Sequence, residues 1–107
     1  MTPQDFARIF VAHKSDLFAA YSESGSETAV GNMLSTFSNE TERERVLAII
    51  DDVLTDSLYS VLLGLDGAGS IGGTQQAYSI QSENGESVLS AGSGELEGAA
   101  YEAFFGV

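Results

Sequence analysis

Asp51, Asp52 and Asp56 form the most closely spaced acidic set of chemical interest in this chain. On an uninterrupted helix Asp52 and Asp56 stand four residues apart and share a face. That spacing can hold a hard cation or act as an acid–base pair. It also describes the solvated side of an amphipathic helix whose Ile49, Ile50, Val53 and Leu54 turn inward. The second reading is preferred, because such helices ordinarily carry their charge outward. No metal is assigned to these aspartates.

Other candidate chemistry is thinner. His13 is the single histidine and there is no cysteine, which excludes multi-histidine zinc sites, thiolate sites, disulfides and cysteine nucleophiles. His13 falls on or beside an apolar stripe, so a packed or hydrogen-bonded role is expected. Gly67-Ala68-Gly69-Ser70-Ile71-Gly72 matches G-x-G-x-x-G. A dinucleotide site needs that loop to open an apolar helix, and Gly73-Thr74-Gln75-Gln76-Ala77 does not. The loop lacks the lysine of a phosphate-binding loop, and with Asp66 as a first calcium ligand Ala68 would take the third position. The loop is therefore read as a connector. Neither Ser70 nor Ser93 lies in a G-x-S-x-G nucleophile turn.

Charge excludes further classes. Four basic residues, Arg8, Lys14, Arg43 and Arg45, face sixteen acidic ones for a net charge of −12. From residue 46 onward there are nine carboxylates and no Lys or Arg. Such a field repels nucleic acid, nucleotides and anionic lipid and attracts cationic partners. No apolar run reaches the roughly 18 residues of a membrane span, and the N-terminus reads as an amphipathic helix rather than a signal peptide. A cytoplasmic location is expected.

The elements that would carry these residues follow from periodicity. Thr2, Pro3 and Asp5 make a helix start with a near capping box, and Phe6, Ile9, Phe10, His13, Leu17, Ala20 and Tyr21 recur at helical spacing over about 3–22. Ser22-Glu23-Ser24-Gly25-Ser26 ends that helix. A weaker helix is expected over about 27–37. Asn39 with Glu42 opens an apolar segment in which Glu40 can reach Arg43 and Glu42 can reach Arg45. Its face of Val46, Leu47, Ile49, Ile50, Val53 and Leu54 continues through Leu58, Val61, Leu62 and Leu65. The weak helix formers Thr55-Asp56-Ser57 predict a break, hence helices over about 40–54 and 56–65. Beyond the glycine-rich loop, alternation and Asn84-Gly85 predict a β-hairpin with strands at about 76–81 and 86–90. A last helix is expected over about 94–105, with Leu96, Ala99, Ala100, Ala103 and Phe104 inside.

These expectations amount to one small acidic α+β domain of 107 residues. They point to a non-catalytic protein that binds a basic protein partner in an inhibitor-like or immunity-like role, with no cofactor. Asp51, Asp52, Asp56, Asp66, Glu83 and Glu86 are the candidate partner-binding residues. The first alternative is a structural homo-oligomer whose acidity serves solubility, a homodimer through the hairpin or the C-terminal helix, where Tyr101, Phe104, Phe105 and Val107 cluster. The second is a small carboxylate- or metal-dependent enzyme.

Overall fold

A computed structural model describes residues 1–23 and 27–106. The chain is α+β and mostly helical, in the order α1 (Pro3–Ser22), α2 (Ala29–Leu34), α3 (Glu40–Leu65), β1 (Ile80–Gln81), β2 (Ser87–Leu89) and α4 (Glu95–Phe105). Ser24, Gly25 and Ser26, within the expected end of the first helix, lie outside the described residues, as does Val107.

Helix starts follow the local signals. Thr2 Oγ1 accepts the Asp5 N–H at 3.1 Å while the Asp5 carboxylate accepts the Thr2 N–H at 3.0 Å, a reciprocal capping box with Pro3 in the first turn. Thr28 caps α2 through Gly31 N at 2.9 Å, and Asn39 caps α3 through Glu42 N at 3.2 Å. Helix α2 spans six residues, shorter than the periodicity implies.

The expected break in the long apolar segment is absent. Helix α3 runs through Thr55-Asp56-Ser57 as 26 continuous residues, about 39 Å of helix. Three weak formers cost only about 0.5 kcal/mol each, whereas apolar turns on both sides hold the axis straight by packing against α1 and α4. The same helix corrects a second expectation. Ile49 and Val53 are 62% and 54% exposed, so they lie outside the buried stripe and not in it.

The core sits at one end. Ala7, Leu62, Leu89, Leu96, Ala99 and Ala100 are buried together, with Phe6, Phe10, Tyr59, Leu65, Ile80, Ala103 and Phe104 packed around them. These residues join the start of α1, the end of α3, the hairpin and α4. At the other end Gly31 and Leu34 are the buried residues of α2, while α1 beyond Ala7 and α3 before Leu62 contribute none. The molecule is accordingly elongated, 49 × 29 × 28 Å, with a radius of gyration of 16.4 Å against about 13 Å for a compact chain of this length.

The hairpin is antiparallel and shorter than expected. Ile80 faces Leu89 and Gln81 faces Ser87, with a bulge between the pairs. Gly85 takes φ +86°, the left-handed conformation that glycine adopts without steric cost. Asn84 Oδ1 accepts from Glu86 N at 3.1 Å and from the Ser82 hydroxyl, which ties the turn.

Candidate functional site

Asp66 is buried, 6% exposed, at the C-cap of α3. Its carboxylate accepts from Gly94 N at 3.2 Å and from Glu97 N at 2.8 Å. Helix α4 has Gly94 at its N-cap with no side-chain cap of its own. Asp66 therefore supplies from a distant segment the acceptor that a local Ser or Asp usually provides, with its charge at the positive end of the helix dipole. This corrects its place among the candidate partner-binding residues: its oxygens are engaged inside the fold. Periodicity could not reveal a contact between residues 28 and 31 positions apart. The one sequence-level hint was a helix start lacking a good capping side chain.

The three aspartates of α3 separate. Asp51 turns toward α1 and pairs with Lys14 Nζ at 3.1 Å. Asp52 and Asp56 are exposed, and the unbroken α3 sets them one turn apart on a common face. They flank the exposed Ile49 and Val53 instead of lying opposite them. Among the described residues no three Asp, Glu or His side chains gather closely enough to hold a metal ion.

Glu83 and Glu86 sit at the hairpin turn, both exposed. Glu86 Oε2 lies 3.3 Å from the Met1 ammonium, which ties the turn to the chain start. The cations are largely engaged: Arg8 pairs with Asp5 at 3.5 Å, and Arg43 with Glu40 at 3.7 Å. Arg43 also donates to Ser22 O at 2.7 Å, capping the end of α1, where no basic residue occupies the last turn. The Glu42–Arg45 pairing expected from spacing does not form, although both side chains line one groove with Phe37, Val46 and Ile49.

The glycine-rich loop is a folded connector. Ile71 and Thr74 exchange backbone hydrogen bonds of 2.9 and 3.0 Å around Gly72 and Gly73, whose φ of +59° and +81° match a tight hairpin turn. No helix opens at Gly72, as a dinucleotide-binding loop requires. Its neck is held by Tyr78 N donating to Leu65 O at 2.9 Å and by Gln75 Nε2 donating to Gly67 O at 3.1 Å. A Cβ at Gly64 would collide with the Ile71 side chain, which explains a glycine inside the last turn of α3. His13 is exposed and not packed in the stripe as expected, since the helical repeat drifts past the boundary of the buried face there.

Of two sets of surface hydrophobes, the one on α3 was missed in the sequence and the one on α4 was expected. Phe37, Val46 and Ile49 line a groove of about 280 Å³ with Glu42 and Arg45 on its rim, and Val53 continues that line one turn on. A second set lies at the end of α4, where Tyr59 stacks edge-on with Phe104 and Phe105 while Tyr101 and Phe105 remain 59% and 50% exposed. No helix among the described residues is long and apolar enough to cross a membrane. Comparison with family models, curated proteins and solved structures returned no match to this chain.

Proposed function

We propose that this protein is a non-catalytic acidic module that binds a basic protein partner. The supporting observation is the combination of a −12 chain with cations already engaged by internal carboxylates: Arg8, Lys14 and Arg43 are each ion-paired. The remaining exposed carboxylates, Asp52, Asp56 and Glu83 among them, set the outward field. Electrostatic steering then brings the partner in, and apolar contact holds it. The test is retention of proteins on the immobilised chain at low salt, beside an unrelated domain of equal charge. A basic protein held by this chain alone, whose association rate falls at least tenfold in half-molar salt, supports the reading. Equal retention on both domains, or a salt-insensitive rate, defeats it.

A second reading, a homodimer through α4, draws on the half-exposed Tyr101 and Phe105, since aromatics are enriched at interface centres. Light scattering that reports twice the chain mass, reduced to one by Tyr101→Ser with Phe105→Ser, would favour it.

A further inference from the structure

We infer that the outer face of α3, centred on Ile49 and Val53, is the docking surface for a basic amphipathic helix of the partner. The inference rests on the basic-partner reading and locates its contact. Ile49 and Val53 stand one turn apart and are each more than half exposed, with Val46 and Phe37 beside them lining a concave groove. On the other side of this stretch of α3, Leu47, Ile50 and Leu54 are partly buried. Water there meets the aliphatic surface of Ile49 and Val53, and covering that surface is favourable.

What covers it is indicated by the rim. Asp52 and Asp56 border the aliphatic pair and form no ion pair among the described residues. A helix presenting a short apolar stripe flanked by Lys or Arg meets both requirements at once. Arg45, at the other end of the groove, gives the face a polarity and so fixes the direction in which such a helix lies. A second copy of this chain fits less well: each face would bring its own carboxylates against the other's, with Arg45 as the only cation on each.

The experiment uses two synthetic peptides of about fifteen residues. One carries Leu at three- and four-residue spacing with Lys elsewhere; the other has the same composition scrambled. Amide shifts and affinities are measured with the intact chain at low salt. The expected result is shifts centred on Phe37, Val46, Ile49 and Val53, and at least about tenfold tighter binding of the patterned peptide. Ile49→Ser with Val53→Ser should weaken that binding about tenfold, and Asp52→Asn with Asp56→Asn about threefold while flattening its salt dependence. The aspartate pair is an independent arm should the serine variant fold poorly. Equal binding of both peptides, with shifts spread over Glu83 and Glu95, overturns this docking surface and leaves the basic-partner reading intact. Binding of neither peptide removes both. A doubled mass by light scattering that Ile49→Ser with Val53→Ser abolishes assigns the face to a second copy and overturns the inference.

Discussion

Asp66 shows how one side chain can belong to the fold although its type and charge point to the surface. Replacing it by alanine leaves Gly94 N and Glu97 N without their acceptor, and unfolding in urea should show a loss of about 2 kcal/mol. Asn at the same position retains one acceptor oxygen and should recover roughly half of that. Asp5 behaves differently. Hydrogen bonds from the Thr2 backbone and side chain, with a smaller contribution from Arg8, hold its carboxyl below the ordinary value of 3.8. Because the folded value is the lower one, its stabilising effect is complete above the unfolded pKa of about 3.9 and is lost as pH falls through the folded value. An NMR titration should place the Asp5 midpoint below that of a typical exposed aspartate, and Thr2→Ala should move it upward.

At the scale of elements, helix α3 is the informative case. Local propensity favours interruption at Thr55-Asp56-Ser57, yet tertiary contact on both sides outweighs it. Since Ser57 is exposed within a continuous helix, Ser57→Ala should raise stability by about 0.5 kcal/mol. Ser57→Pro should lower it by about 3 kcal/mol or more, because proline removes a backbone donor and clashes with the preceding turn. A proline tolerated there would restore the two-helix arrangement. Helix starts were legible in the residues, as Thr2 with Asp5 and Asn39 with Glu42 show, because a cap is a contact over three residues. The hairpin turn at Asn84-Gly85 was legible for the same reason. Strand length was not, since pairing depends on the partner strand and on the bulge between Ile80 and Gln81.

Across the whole molecule, the buried cluster joins the start of α1, the end of α3, the hairpin and α4, whereas Ile49 and Val53 on the earlier part of α3 are exposed. Leu62→Ala and Leu96→Ala, in the buried cluster, should each cost about 3 kcal/mol, whereas Val53→Ala should change stability by less than about 0.5 kcal/mol. Thermal unfolding of the three variants checks this division. A comparable loss at Val53 would mean that the outer face of α3 is covered even in the isolated chain, which would contradict its 54% exposure.

The sequence alone determined the charge, the exclusion of cysteine chemistry, the α+β order, the caps of α1 and α3 and the inner face of α4, because each rests on composition or on contacts within a few residues. Tertiary structure decided the role of Asp66, the separation of Asp51 from Asp52 and Asp56, and the exposure of Ile49 and Val53. Periodicity counts apolar positions but does not say how wide a stripe the neighbouring helices can cover. On α3 the stripe is wider than α1 and α4 together bury, and the part left over is the exposed face of Ile49 and Val53.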